Sequence, residues 1–426
     1  MNKKLTMKPL ETASAGRALF LCCFILYAIV YCGRLNYSAA LAEIVPSGLF
    51  EKDEAGLVSS ALFVAYGGGM FINGFLSDRM PPFALVGGCT LLSAIANLAM
   101  YFVCLAEQPA LWAMILIWTA NGYIQSSIWP TMIRIVSTAL PESMRVPCSA
   151  AMMATTALGT SMSYLISQQV IRMSGWRELF LVPGILLVAA AIVWLLLTAK
   201  PAKACCTWVD AAPAASRSAE EKKSDRTELF RLLKLSGAIT MICPIIMMAI
   251  VKDGIVTWTP TMLTEIFQVE AEFSVAVSTL IPFISIFGAM LANAIMRHFL
   301  RDEMKSSVLL FSCSALTMVL AGTLGYMALP AMLIPLAVTI LFMLGINTLQ
   351  ISLVPLHFAK YGKAATVTGV LNSTASISCG ISSYLAGLLA KHSGWQITIL
   401  IWAALCVIGA VASAAVVRRW MRFKGM

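Results

Sequence analysis

Charged residues are scarce in this chain. Asp, Glu, Lys and Arg make up 12% of its 426 residues, about half the share found in a soluble domain. That shortage of polar surface excludes a soluble enzyme and a disordered scaffold. The usual carriers of acid–base and metal chemistry are thin as well. Only three histidines occur, His298, His357 and His392, all near expected chain connections, which argues against a membrane-embedded enzyme. Twelve cysteines are present, but none lies in a CxxC or Cys/His spacing of metal-site type. They read as small buried hydrophobes, so neither a metal nor a cofactor is expected. A Gly-x-x-x-x-Gly-Lys phosphate loop is missing, which excludes an ATP-driven pump. No cleavable signal peptide is evident either: Lys3, Lys4, Lys8 and Arg17 precede an apolar run long enough to span.

Hydrophobic residues make up 59% of the chain, and the mean hydropathy is +0.84. They fall in long runs separated by short polar breaks, and a bilayer needs about 20 apolar residues per helix. Twelve runs are recognisable, at about 19–42, 55–76, 83–105, 111–136, 148–171, 177–199, 235–259, 274–297, 306–328, 331–354, 366–390 and 395–417. The net charge of +10 is topological rather than a sign of nucleic-acid binding. Of 30 Lys and Arg, 24 fall in the termini and the even-numbered connections, while the odd-numbered ones hold Lys52, Arg172, Arg177 and Lys391. Cationic loops stay cytoplasmic. The expectation is a multi-pass protein of the cell (inner, cytoplasmic) membrane, with both termini cytoplasmic, lipid as its surroundings, no nucleic-acid partner and a monomeric state.

Residues 200–231 break the apolar pattern with AAPAASRSAEEKKSDR and read as a flexible linker. Around it the sequence repeats. SMSYL (161–165) is followed by Ser174-Gly175-Trp176, and ISSYL (381–385) by Ser393-Gly394-Trp395. Gln125 precedes Pro130 by five residues, as Gln350 precedes Pro355. One register of six helices accommodates all of these. The expected fold is an all-α membrane protein of twelve transmembrane helices in two pseudo-symmetric six-helix bundles, 1–199 and 232–426. Parallel repeats of this kind belong to a transporter plan with its site at the midplane.

The two remaining cations, Arg34 and Lys252, lie inside apolar runs. A cation near a helix centre costs about 2.5–3.5 kcal/mol on insertion scales. It must therefore snorkel to an interface, pair with a local acid such as Asp253, or face a cavity that takes an anion. Arginine's planar fork suits carboxylate or phosphate, and lysine adds a mobile point charge. Tyr27 and Tyr31 precede Arg34 by seven and three residues and share its helical face. Asp253 is a candidate for charge compensation or proton coupling. Small-residue runs such as AYGGGMFINGF permit close helix approach, and Pro130, Pro244, Pro282 and Pro355 are sites where helices can kink.

These residues resemble the major facilitator superfamily and, within it, the organophosphate:phosphate antiporter group. GFLSDRMPP (74–82) is similar to the superfamily's Gly-x-x-x-Asp-Arg loop, which gives Gly74, Asp78 and Arg79 the role of a conformational latch; Phe83 stands near the place of its usual second basic residue. YAIVYCGRLNYSAAL resembles the group's first helix, with Arg34 at the substrate-phosphate arginine and Tyr27 and Tyr31 at its tyrosines. AYGGGMFINGFLSDR places Tyr66 at a cavity tyrosine. VKDGIVTWTPTMLTE resembles the seventh-helix pattern through Lys252, Gly254, Trp258, Pro260 and Leu263. The departures are lysine in place of arginine at 252, Met70 where some members carry lysine, and Thr155 near a fifth-helix histidine. The cavity they describe is less cationic than a dedicated sugar-phosphate site. The resemblance implies transport of an organophosphate or carboxylate by alternating access, in exchange for inorganic phosphate or another anion, with proton coupling as a second mechanism. It also leaves open a transporter-like sensor that binds a phosphorylated metabolite and signals to a partner.

Overall fold

The computed structural model describes residues 3–210, 232, 235–361 and 364–425. Its helices begin and end for local reasons. Helix α1 (Ala13–Ile44) is capped by Thr12, whose hydroxyl accepts from Ala15 N at 3.3 Å. Helix α2 (Lys52–Arg79) starts in a capping box, Glu51 N donating to Glu54 Oε2 at 3.0 Å. After α3 (Pro82–Cys104), the fourth span is broken into α4 (Leu111–Gln125) and α5 (Ile128–Ala139). Pro130 is the cause: it has no N–H for the carbonyl of Ser126, and its ring crowds that carbonyl. Pro282 does the same to Ser278, where the helix Ala271–Ser278 stops and Leu280–Ala294 begins. The first half closes with α6 (Glu142–Met152), α7 (Ala154–Ser174) and α8 (Glu178–Cys205).

Eight of the described helices are long and apolar enough to cross a membrane. The last of these is two spans in one, because Gly394 interrupts Ala364–Lys424 with non-helical torsions, φ 76° and ψ 170°. Gly175, in the matching Ser-Gly-Trp of the first half, has φ 92° and ψ −178°. The repeat seen in the sequence is thus a repeated backbone turn, in a region of torsion space that is essentially glycine's alone.

The chain divides into two compact units: Met1–Asp210 with Val256–Phe283 and Cys379–His392, and Ala211–Ile255 with Ile284–Ser378 and Ser393–Met426. In the first unit α1 is the central element, with every residue from Cys32 to Ala42 buried. Apolar side chains of α1, α3, α5, α6 and α8 form one core, including Leu19, Val86, Ile135 and Leu187. Trp194 stacks on Phe83 and donates to its carbonyl at 2.8 Å. At the end of this unit that carries the odd-numbered connections, 256–283 and 379–392 are stitched to the helices of the first half. Lys391 Nζ bonds both Asp53 oxygens (3.0 and 3.1 Å) and Glu51 (2.8 Å). Lys52 pairs with Glu265 at 2.8 Å. Tyr164 donates to Val256 O, and Trp258 Nε1 donates to Ser383 O. Those contacts are why the unit takes in pieces from beyond residue 232.

One feature was outside the sequence expectation. Strand β1 (Lys3–Met7) pairs antiparallel with β2 (Cys206–Asp210), Lys3 opposite Asp210. The stretch 200–231 therefore begins as the last turn of α8 and continues as a strand, while 211–231 lies outside the described residues. In the second unit Glu303 is the polar hub, accepting from Trp420 Nε1 (2.9 Å) and Lys424 Nζ (2.7 Å), with His357 Nε2 at 2.8 Å.

Candidate functional site

Arg34 is 7% exposed and lies on the fully buried stretch of α1, so it does not snorkel to an interface. Its guanidinium carbon is 4.4 Å from the ring centre of Tyr66 and 4.7 Å from that of Tyr31, a cation–π arrangement. Tyr27 packs edge-on against Tyr31, ring centres 5.6 Å apart, and tilted by 43° against Trp129 at 4.8 Å. The structure thus brings together four of the residues singled out in the sequence, Arg34, Tyr27, Tyr31 and Tyr66, and adds Trp129. Thr155 is fully buried on α7 with its hydroxyl turned to the carbonyl of Met152.

Among the described residues the polar partners of Arg34 are neutral: its Nε donates to Gln125 Oε1 at 2.7 Å, and no carboxylate of the first unit is shown pairing with it. Its Nη2 is buried without a hydrogen-bond partner among the described residues. Behind Gln125 stands a network of amides and a hydroxyl. Gln125 Nε2 reaches Ser93 Oγ (2.8 Å), Asn121 Oδ1 (3.1 Å) and the carbonyl of Gly33 (3.2 Å). Asn121 and Asn97 donate to the same carbonyl at 2.9 and 3.0 Å. Asn36 then links Asn97 to Leu179 O, at 2.8 and 2.7 Å. A Cβ at residue 33 would fall 2.4 Å from Leu187 Cδ1 and 2.9 Å from the Asn97 amide nitrogen, so a larger residue there would force those side chains to move.

Lys252 belongs to the second unit, where its Nζ lies 3.4 Å from Asp253 Oδ2 and both side chains are partly exposed. A local acid thus lies beside Lys252, in contrast to Arg34. Gln350, the counterpart of Gln125 in the repeat, is fully buried, with Nε2 3.4 Å from Ser413 Oγ and Oε1 unpartnered among the described residues. The loop motif of Gly74, Asp78 and Arg79 sits at the end of α2, but the side chains of Asp78 and Arg79 lie outside the described residues. Next to it, Arg134 of α5 donates to the carbonyls of Ser77 and Met80, in the manner of a basic residue satisfying the last carbonyls of a helix. Among the described residues no cluster of His, Cys, Asp and Glu has the form of a metal site.

Sequence reasoning noticed Gln125 only as a mark of the repeat and missed Asn36, Ser93, Asn97 and Asn121. The available signal was their spacing. Ser93 and Asn97, and Asn121 and Gln125, are polar pairs four residues apart within apolar runs, each pair on one helical face.

Comparison with known proteins gives this geometry a family. Over 403 residues the chain is 24% identical to the glycerol-3-phosphate transporter of Bacillus subtilis, covering 92% of this chain and 90% of that protein. It is 26% identical over 167 residues to the membrane sensor protein UhpC of Salmonella typhimurium, a match that takes in 39% of this chain and only 37% of the sensor's length. Among solved structures, a bacterial homolog of the human lysosomal transporter Spinster, in an inward-facing conformation, superposes with a TM-score of 0.77. That likeness covers 97% of this chain and 99% of the other at 13% identity, which speaks for the fold alone. The family model described as Major Facilitator Superfamily matches residues 23–383, and the chain belongs to that superfamily.

Proposed function

We propose that this protein is a secondary transporter that moves a small organic anion, an organophosphate or a carboxylate, across the cell membrane by alternating access. It acts as a carrier and not as an enzyme, with both termini in the cytoplasm. The observation that carries the reading is Arg34: a buried guanidinium with a neutral partner at Nε and, among the described residues, no hydrogen-bond partner at Nη2. A desolvated cation is costly, and a visiting anion offsets that cost through charge-assisted hydrogen bonds. Tyr27, Tyr31 and Tyr66 line the anion's pocket. Lys252 is a second candidate anion-binding group, with Asp253 as its charge compensation or proton-coupling partner. The name of the Bacillus subtilis relative, a glycerol-3-phosphate transporter, supports an organophosphate as cargo; inorganic phosphate is the counter-anion in this reading.

The match to a membrane sensor protein favours a second reading, in which the anion is bound and reported to a partner without flux. Proteoliposomes loaded with inorganic phosphate and diluted into labelled phosphate or glycerol 3-phosphate separate the two. A transporter accumulates label by counterflow. A protein that binds these anions but accumulates none is the sensor.

A further inference from the structure

Gln125 is the last residue of α4, held there by the break that Pro130 imposes on the fourth span. Its side chain is fully buried, and both ends of its amide are engaged. The Gly33 carbonyl and Asn121 Oδ1 beside Nε2 can be met only by a donor, and Ser93 Oγ gives its own proton to Asn121 Oδ1 and accepts from Nε2, so the carbonyl end is the one that faces Arg34. This fixes Arg34 through Nε at 2.7 Å, while Nη2 has no hydrogen-bond partner among the described residues.

The chemistry of the amide matters as much as its position. A carboxylate of the same shape would accept from Nε equally well, but it would also cancel the guanidinium charge and close an internal ion pair. An apolar residue would leave the charge and lose the orientation. Glutamine does neither: it grips one edge of the cation while adding no charge. We propose that Gln125 is the positioning residue of the anion site, orienting Arg34 and keeping its charge uncompensated so that the ligand supplies the counter-charge. This inference rests on the reading of Arg34 as the anion-binding group.

The test is isothermal titration of purified full-length protein with inorganic phosphate and with glycerol 3-phosphate, alongside thermal unfolding of each variant. Gln125→Glu is expected to weaken anion binding at least tenfold, because its carboxylate closes an ion pair with Arg34; the unfolding temperature falls as well, since its second oxygen meets the acceptors that Nε2 satisfies. A merely structural role is separated from positioning by the double variant with Arg34→Lys. A second variant covers the case in which the glutamate form does not fold. Gln125→Leu is expected to lower affinity about tenfold beside Arg34, but less than twofold in an Arg34→Lys background, where no Nε exists to be held. Equal losses in both backgrounds show that Gln125 does not act through Arg34 and overturn the proposal. If the unaltered protein binds neither anion, the anion-site reading itself fails, and this inference with it. If the unaltered protein binds and Gln125→Glu stays within twofold of it, this inference alone fails.

Discussion

The guanidinium carbon of Arg34 lies 4.4 Å from the centre of the Tyr66 ring, and Tyr66 is itself 8% exposed. A ring so placed supports a cation without neutralising it, with a contribution of about 1–2 kcal/mol at a desolvated site. Tyr66→Leu should therefore weaken binding of inorganic phosphate about five- to thirtyfold, whereas Tyr66→Phe, which keeps the ring, should stay within about threefold. Titration calorimetry on the two variants distinguishes the ring from the hydroxyl.

The two Ser-Gly-Trp turns make a prediction about stability. Gly175 and Gly394 hold extended ψ angles at positive φ, where a Cβ costs about 1–3 kcal/mol. Alanine at either site should lower the unfolding temperature in detergent by a few degrees. Asparagine should not rescue it, because its tolerance is for the left-handed helical region and not for this one. An unchanged unfolding temperature in both alanine variants would show that the turns are not strained by a side chain.

The pair Lys391–Asp53, outside the apolar runs, sets a pH dependence. Burial pushes the Asp53 carboxyl up, but hydrogen bonds from Lys391 outweigh it and hold the group below its ordinary value. A carboxyl depressed in the folded state adds stability above its unfolded value of about 3.9, and that stability is lost as pH falls through the lower, folded value. The pair should thus be constant from pH 5 to 8 and fail only in stronger acid. At pH 7, Asp53→Asn should cost less than 1 kcal/mol, since the pair is exposed. The double variant with Lys391→Met should be no worse than Lys391→Met alone, because removing Lys391 already takes away the partner of Asp53. Thermal unfolding of the three variants at pH 7 and pH 5 checks both statements.

The features that were legible in the sequence are those with a high local cost. Arg34 stands out because a cation inside an apolar run is expensive wherever the helix goes, and the spacing of Tyr27 and Tyr31 puts them on its face. Gly175 and Gly394 could be paired because the same turn demands the same residue twice. The network behind Gln125 was not legible in the same way. Asn36, Ser93, Asn97 and Asn121 are polar but uncharged, and a lone amide in a span satisfies itself in many arrangements. Only the packing of α1, α3 and α4 decides that three amides meet at the carbonyl of Gly33. The strand pairing of Lys3–Met7 with Cys206–Asp210 was hidden for a different reason. Its partners lie about two hundred residues apart, and neither has an apolar alternation strong enough to announce a strand.

The central claim is that Arg34, through Nη2, holds the anion. Its most direct test is equilibrium binding of inorganic phosphate to Arg34→Ala, compared with the unaltered protein at matched purity and with thermal unfolding as the control for folding. Two charge-assisted hydrogen bonds at about 1.5–3 kcal/mol each imply a loss of at least a hundredfold, which in practice abolishes measurable binding while the variant still unfolds cooperatively. Phosphate affinity within threefold of the unaltered protein in a folded Arg34→Ala variant would contradict the account.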